Sequence, residues 1–208
     1  MPRRHKMPRV IGITGGIATG KSTVLRMFGE LGAETLSADD LARQALAKGT
    51  EAYRETVERF GDGILTPDGE IDRSALGAIV FADESARQDL NAITHPRVIS
   101  AIQRRIDEFR TNPPSPNAVL AIEIPLLVEC GLEAIVDEVV VVSAEPATQV
   151  SRLTTRSRMS AEEARRRLAA QMPIERKIQH ADRVIRNEGT LEELREAVRA
   201  AWEDVTAQ

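Results

Sequence analysis

The segment that most constrains this chain is Gly15–Ser22, which reads GGIATGKS. It fits the pattern G-x-x-x-x-G-K-[ST] without a mismatch. In that pattern the glycines let successive backbone N–H groups face a phosphate, the lysine reaches the outer phosphates, and the last hydroxyl can bind Mg²⁺. Residues 10–14 before it predict a short buried strand, and residues 23–31 after it show helical spacing. A strand, a loop and a helix N-terminus in this order indicate a nucleotide-phosphate site.

Further candidate strands, of which 119–123 and 139–143 are apolar and 183–186 is weaker, predict the rest of an α/β fold. The candidate strands are residues 34–37, 119–123, 139–143 and 183–186, and helical patterns separate them. Repeated strand-then-helix units with short turns imply a parallel sheet covered by helices on both sides. The expected architecture is therefore an α/β core built around a phosphate-binding loop.

One long stretch, residues 44–112, contains no obvious buried strand. Helical patterns occupy residues 53–60, 74–81, 84–93 and 96–109, with His95 as a cap and Pro96 at the first position of the last helix. Such an insertion suits a domain that grips a second substrate. We expect a core of residues 7–43, 113–151 and 177–208, an insertion of residues 44–112, and a lid of residues 152–176.

The lid expectation comes from charge. The chain has a net charge of −4, yet residues 152–186 hold ten basic residues against four acidic ones. Arginine forks match phosphate oxygens, and a mobile lid excludes water that would otherwise hydrolyse ATP. The alternative is a solvated helix with exposed charges. We favour that alternative for most of Arg165–Arg167, and it stays open for Arg156.

Three carboxylates stand where two strands are predicted to end. Asp39 and Asp40 follow residues 34–37, and ligands gather at the carboxyl ends of parallel strands. Either could instead be a helix N-cap. Glu123 ends an apolar strand, which is the arrangement of a Walker B acid that assists the metal. For His95, the alternative to a functional role is a purely structural role as a helix cap.

Composition excludes several classes of function. Aromatic residues make up 3% of the chain, with one Tyr and one Trp, which disfavours stacking platforms for single-stranded nucleic acid. The single cysteine, Cys130, excludes an internal disulfide and fits a reducing compartment. No apolar run approaches the ~20 residues of a membrane span. We therefore expect small-molecule substrates, a cytoplasmic location and a monomer, with a weak oligomer left open. Residues 1–6 are expected to be an extension, because Met7 could equally serve as the start.

An ordered series of motifs along nearly the whole chain from Arg9 resembles the dephospho-coenzyme A kinase family. The matching segments are Ile13–Ile17 with Lys21–Thr23, Ala38-Asp39 with Ala42-Arg43, Phe60-Gly61, Asp68-Gly69, Ile71–Arg73, Thr94–Pro96, Ile124–Leu127, Arg156, Gln171-Met172, Ala181-Asp182 and Asn187–Gly189. The resemblance implies a five-stranded parallel P-loop kinase core, a helical domain for the coenzyme A portion and an arginine-bearing lid. It also implies ATP and Mg²⁺, with phosphoryl transfer to the ribose 3′-hydroxyl of dephospho-coenzyme A.

The resemblance also implies roles for individual residues. Asp39 matches the second carboxylate of the family's Asp-x-Asp and is the expected base, with Lys21 and Arg156 as its catalytic partners. Arg43, Arg73 and His95 are expected to bind the acceptor, and Ser22 and Glu123 to hold the metal. The expected nucleotide ligands are Gly16, Ile17, Ala18, Thr19, Gly20, Lys21, Ser22, Thr23, Arg152 and Asn187.

Three residues depart from the family pattern. Ser37 replaces the first carboxylate of Asp-x-Asp, so a metal or substrate role there is lost or passes elsewhere. Ala18 replaces a common loop glycine, which predicts a negative φ at that position. Glu123 stands where aspartate is frequent in relatives.

Two rival functions share parts of this pattern. A kinase of a nucleoside monophosphate or another small metabolite would have the same core and lid, although the segments Thr94–Pro96 and Ile71–Arg73 argue against it. A nucleotide-binding regulator without turnover would leave Asp39, Glu123 and the arginine-rich segment with little purpose. Turnover with a panel of acceptors separates the three.

Overall fold

The structure is a computed structural model, and it describes residues 7–157 and 159–207. The expected N-terminal extension, residues 1–6, lies outside the described residues, as does Arg158 of the arginine-rich segment. No helix in the described ranges is long and apolar enough to cross a membrane.

The described residues form a five-stranded parallel sheet with the order β2-β3-β1-β4-β5. Its strands are β1 (Arg9–Gly15), β2 (Glu34–Ser37), β3 (Val119–Glu123), β4 (Glu138–Ser143) and β5 (Arg183–Arg186). The predicted five-stranded parallel core is confirmed, and three strands have the predicted bounds. Every residue of β3 and β4 is buried, as expected of strands covered on both faces.

The helices follow in chain order. They are α1 (Lys21–Glu30), α2 (Ala38–Ala45), α3 (Glu51–Phe60), α4 (Arg73–Ala82), α5 (Glu84–Thr111), α6 (Pro146–Ser157), α7 (Ala161–Ala169), α8 (Ile174–Ile178) and α9 (Leu191–Ala207), with short 3₁₀ turns at Asp62–Ile64 and Glu133–Ile135. Contacts divide the chain into two compact units: the first comprises Met1–Ser37 and Glu108–Gln208, and the second Ala38–Asp107.

In the first unit, α1 and α9 pack on the sheet through one apolar cluster. Phe28 of α1 is fully buried and meets Trp202 of α9 with ring centroids 6.4 Å apart. The start of α9 is a capping box: Thr190 N–H donates to Glu193 Oε2 at 2.6 Å, and Glu193 N–H donates to Thr190 Oγ1 at 3.2 Å. The Thr190 backbone bond lowers the pKa of Glu193. Together these contacts fix α1, and with it the loop that precedes α1.

The second unit is helical, and one prediction about it is wrong. Instead of two helices meeting at His95, residues 84–111 form the single helix α5 with Pro96 inside it. Proline removes one backbone hydrogen bond and crowds the preceding turn. Side chains beside Pro96 supply other bonds: Thr94 Oγ1 donates to the Leu90 carbonyl at 2.8 Å, and Arg97 Nη1 to the Ile93 carbonyl at 2.6 Å. His95 is therefore a mid-helix residue and not a cap.

Candidate active site

The site is built around the loop between β1 and α1. Gly15 has φ +148°, and a Cβ there would lie 2.1 Å from the Val142 carbonyl oxygen of β4. Gly20 has φ +99°, and its Cβ would lie 2.3 Å from Asn187 Nδ2. Both positions exclude a side chain, so the two fixed glycines of the motif let the loop curl tightly against β4 and Asn187.

Ala18 corrects a prediction. Its φ is +56°, in the left-handed region, whereas the replacement of a loop glycine by alanine predicted a negative value. It is the one non-glycine residue with positive φ in the described chain. That conformation costs an L-residue about 1–2 kcal/mol. Ala18 nevertheless adopts this conformation in the curled loop. The guanidinium of Arg152 donates a hydrogen bond to the Ala18 carbonyl at 3.2 Å.

The lysine of the motif marks the outer-phosphate end of the loop. Lys21 Nζ donates to the Gly16 carbonyl at 2.7 Å, and Thr19 Oγ1 donates to the same oxygen at 2.9 Å. Because this lysine is the group that reaches the outer phosphates in the motif, Gly16 and its neighbour Ile17 lie at that end.

Arg152 and Asn187 fasten the other end of the loop. Asn187 is buried, and its Nδ2 donates to the Thr19 carbonyl at 2.8 Å. Arg152 of α6 donates to the Asn187 carbonyl at 2.9 Å and to the Thr19 carbonyl at 3.4 Å. Arg152 and Asn187, which were expected to bind the nucleotide, therefore form a structural clamp on the loop.

A small cavity of about 120 Å³ opens at this clamp. Arg156, in the last turn of α6, lines it and is exposed. Within the described chain the Arg156 guanidinium makes no ion pair or hydrogen bond, in contrast to Arg152 one turn earlier. The cavity is lined by Gly20, Thr23, Arg152, Arg156, Asn187, Gly189, Leu191 and Leu194.

Ser22 and Glu123, the two expected metal ligands, meet beside the loop. Ser22 Oγ donates to Glu123 Oε1 at 3.0 Å, and Glu123 is 4% exposed at the end of β3. A hydroxyl and a carboxylate are oxygen ligands that suit Mg²⁺. The described residues hold no group of three or more His, Cys, Asp or Glu that could bind a metal by themselves. The pair therefore fits a metal that takes most of its ligands from phosphates and water.

The loop after Glu123 has a buried support that sequence reasoning missed. Lys177 of α8 is 2% exposed, and its Nζ donates to the Pro125 carbonyl at 2.8 Å and lies 2.8 Å from Glu129 Oε1. Thr14 Oγ1 of β1 donates to the same carbonyl at 3.0 Å. The run of basic residues around Lys177 gave no signal that one of them is a core residue. The nearby thiol of Cys130 has its pKa raised, mainly by burial, which fits an inert cysteine.

The remaining expected residues belong to the second unit. Asp39 is exposed and lies inside the first turn of α2, so the N-cap alternative for it is wrong. Arg43, four residues on, pairs with Asp40. Arg73 begins α4, which Asp72 caps by accepting from the N–H groups of Ser74 and Ala75 at 2.8 and 3.1 Å. His95 is half-buried in α5, and burial lowers its pKa from 6.5.

Two glutamines contact the phosphate loop. Gln171 lies in the Gln171-Met172 segment of the family resemblance, which assigned it no role, and nothing in the sequence singled out Gln149. Gln149 Nε2 of α6 donates to the Ile17 carbonyl at 2.6 Å. Gln171, just after α7, accepts from the Ile17 N–H through Oε1 at 2.8 Å. A lone glutamine beyond a helix end has no periodicity or charge pattern to single it out. Of the arginines in α7, Arg165 and Arg166 are exposed, and Arg167 pairs with Glu163 at 2.8 Å.

The parallel sheet, the curled GxxxxGKS loop with its lysine and the Ser22–Glu123 pair together define a P-loop kinase. Within that class, the chain belongs to the dephospho-coenzyme A kinase family, whose family model matches residues 9–193. The dephospho-CoA kinase of Geobacter sulfurreducens is 49% identical over 193 residues, covering 93% of this chain and 96% of that protein.

Solved structures agree. The dephospho-CoA kinase from Campylobacter jejuni superposes with a TM-score of 0.71 at 28% identity, covering 97% of this chain and 98% of that chain. The shikimate kinase from Acinetobacter baumannii shares the fold alone, with a TM-score of 0.52 at 16% identity over 97% of this chain and 95% of that chain.

Proposed function

We propose that this protein transfers the γ-phosphoryl group of ATP to the ribose 3′-hydroxyl of dephospho-coenzyme A, giving coenzyme A and ADP. This is the last step of coenzyme A biosynthesis. The observation that carries the proposal is the phosphate loop, whose lysine lies at its outer end beside the Ser22–Glu123 pair, in a chain that matches the family over residues 9–193.

On the nucleotide side, the chain supplies positive charge and N–H donors. Lys21 leaves the Gly16 carbonyl for the outer phosphates, and the loop amides bind the remaining oxygens. Arg152 and Asn187 hold the loop curled, and the cavity beside them accepts the nucleoside. Arg156, which has no ion-pair partner among the described residues, is a cation available to neutralise charge that develops during transfer.

Ser22 and Glu123 are the residues that would hold Mg²⁺, directly or through its waters. When bound with ATP, this ion neutralises phosphate charge and orients the terminal group. The burial of Glu123 and the support of the following loop by Thr14 and Lys177 keep the carboxylate in place.

On the acceptor side, we assign the base to Asp39 and the grip on dephospho-coenzyme A to Arg43, Arg73 and His95. The exposed carboxylate of Asp39 can accept the proton of the attacking hydroxyl as the bond to phosphorus forms. Arginines complement phosphates, of which this acceptor carries two, and a half-buried neutral imidazole can serve as a hydrogen-bond donor or acceptor. Residues 152–176 we assign to the lid.

The test is ADP release with dephospho-coenzyme A set against AMP, CMP, UMP and GMP as acceptors. We expect dephospho-coenzyme A to stimulate release far above the ATPase background, and the monophosphates to leave it at background. Lys21→Ala serves as the inactive control. Preference for a monophosphate would contradict the acceptor assignment while leaving the phosphate-loop argument intact.

A further inference from the structure

We propose that Gln171 is a ligand of the ATP γ-phosphate, and that its side-chain amide distinguishes ATP from ADP. The inference rests on the proposed function, since it needs ATP in the loop. It concerns a residue outside the GxxxxGKS motif, the metal pair and the arginines.

The orientation of the Gln171 amide follows from its partner. The Ile17 N–H donates to Gln171 Oε1 at 2.8 Å. A backbone N–H cannot accept a hydrogen bond, so the atom facing it has to be the amide oxygen. The amino group of Gln171 then points elsewhere with two N–H donors. Gln171 is exposed, and this amino group has no hydrogen-bond partner among the described residues.

The contact lies at the outer-phosphate end of the loop. Ile17 directly follows Gly16, whose carbonyl accepts from Lys21 Nζ at 2.7 Å. A Cβ at Gly16 would lie 2.7 Å from Gln149 Nε2 and 3.6 Å from Gln171 Oε1. The absence of a side chain at Gly16 therefore lets Gln149 approach the backbone beside the lysine, and Gln171 lies within van der Waals distance of the same position.

Gln171 is held where it lies. Gln149 is 8% exposed and fixes the Ile17 carbonyl at 2.6 Å, so Ile17 is bound on both its carbonyl and its N–H. The Gln171 N–H donates to the Leu168 carbonyl of α7 at 3.1 Å. A cavity of about 760 Å³, lined by Gly16, Gln149 and Gln171 together with residues of α6–α8, leaves space at this end of the loop.

These features suit a terminal phosphoryl group. A neutral N–H donor fixed near an ammonium adds a charge-assisted hydrogen bond to a phosphate oxygen, and such bonds are stronger than neutral ones. ADP lacks the group that would reach Gln171. The opposing mechanism is a gate, in which Gln171 blocks the Ile17 N–H and has to leave before nucleotide can bind.

The experiment measures the affinities of ADP and of a non-hydrolysable ATP analogue, each with Mg²⁺, by calorimetry. The variants are Gln171→Ala, Gln171→Glu and Gln171→Asn. Asparagine keeps the amide but is too short to bridge Ile17 and a phosphate. The matched control is Gln179→Glu, an exposed glutamine after α8 that makes no hydrogen bond to the phosphate loop among the described residues.

We expect Gln171→Ala and Gln171→Asn to weaken the ATP analogue about 10-fold, the scale of one hydrogen bond to a charged group, and to change ADP affinity less than twofold. Gln171→Glu should weaken the analogue further, because its carboxylate repels the phosphate. Gln179→Glu should match the wild type.

Equal losses for ADP and the ATP analogue would overturn the proposal, and so would tighter binding of the analogue, which is the signature of a gate. If Gln171→Ala does not fold, the affinities of Gln171→Asn and Gln171→Glu for ADP and for the ATP analogue distinguish the same outcomes. The acceptor panel is independent of these affinities. A wild type that discriminates ATP from ADP through Gln171 but prefers a monophosphate acceptor would refute the proposed function alone.

Discussion

At the scale of single residues, Ala18 shows what a phosphate loop demands of its backbone. Its φ of +56° is a conformation that glycine adopts without steric cost. We expect Ala18→Gly to raise the free energy of unfolding by about 0.5–1 kcal/mol, because relief of the strain exceeds the added freedom of the unfolded chain. Urea denaturation measures the change. The control is Ala78→Gly, inside α4, which should lower stability by about 1 kcal/mol. Loss of stability in both variants would contradict the strained conformation of Ala18.

Substitutions of Asp39 and Glu123 should respond differently to magnesium. Asp39→Asn removes a proton acceptor and should lower kcat by about 10²–10⁴-fold, toward the middle of that range, with ATP affinity barely changed. Glu123→Gln should raise the Mg²⁺ concentration needed for half-maximal rate, and excess Mg²⁺ should partly restore its activity. Initial rates over a magnesium titration measure both. Rescue of Asp39→Asn by magnesium, with Glu123→Gln staying inactive, would show that the roles are reversed.

His95 should make stability depend on pH. Because burial lowers its pKa from 6.5, the unfolded chain binds more protons than the native one between the lowered pKa and 6.5. The free energy of unfolding should therefore fall as pH decreases through that window. Denaturant unfolding of wild type and His95→Gln across the window measures this, and the variant should show a flatter slope. An unchanged slope would mean that His95 does not contribute.

At the scale of elements, α6 presents two arginines one turn apart with different roles. Arg152 is bonded to the phosphate loop and Asn187, whereas Arg156 has no such bonds. We expect Arg156→Ala to lower kcat more than it weakens ATP binding, with the melting temperature unchanged, because a transition-state contact is formed late. Arg152→Ala should lower both the melting temperature and ATP affinity. Steady-state kinetics, calorimetry and thermal unfolding separate the pair. Equal losses of kcat and affinity in Arg156→Ala would indicate simple substrate binding.

The elements also show what the sequence can and cannot reveal. The strands at residues 34–37, 119–123 and 183–186 were predictable. Residues 119–123 are a buried apolar run, and the two shorter strands are short segments with β-branched residues that stand between helical patterns and turns. The continuity of α5 was not predictable. A proline at the first position of a helix and a proline inside a helix give the same sequence pattern, and tertiary contacts decide which of the two forms. The sign of φ at Ala18 and the contact of Gln171 with Ile17 depend on the folded loop. Neither the φ of Ala18 nor this contact can be predicted from residue spacing.

At the scale of the whole molecule, the two units should respond to different substrates. The phosphate loop belongs to the first unit, and Arg43, Arg73 and His95 belong to the second. Bound ligand suppresses local opening. In hydrogen–deuterium exchange we expect a Mg²⁺-bound ATP analogue to slow exchange in residues 15–23 and 183–189 about tenfold or more. Dephospho-coenzyme A alone should slow exchange within residues 38–107. Protection by dephospho-coenzyme A confined to the first unit would contradict the acceptor assignment.

The strand order has a consequence for how the protein is made. In the sheet, β3 lies between β1 and β2, and β1 and β2 do not pair with each other. During synthesis β1 and β2 emerge first, but their shared partner follows only about 80 residues later. At translation rates of about 5–20 residues per second, the two strands wait about 4–16 s with unpaired edges, while the helices of residues 38–107 can already form. The phosphate loop, which needs β4 and Asn187 against it, is among the last parts of the newborn chain to take shape.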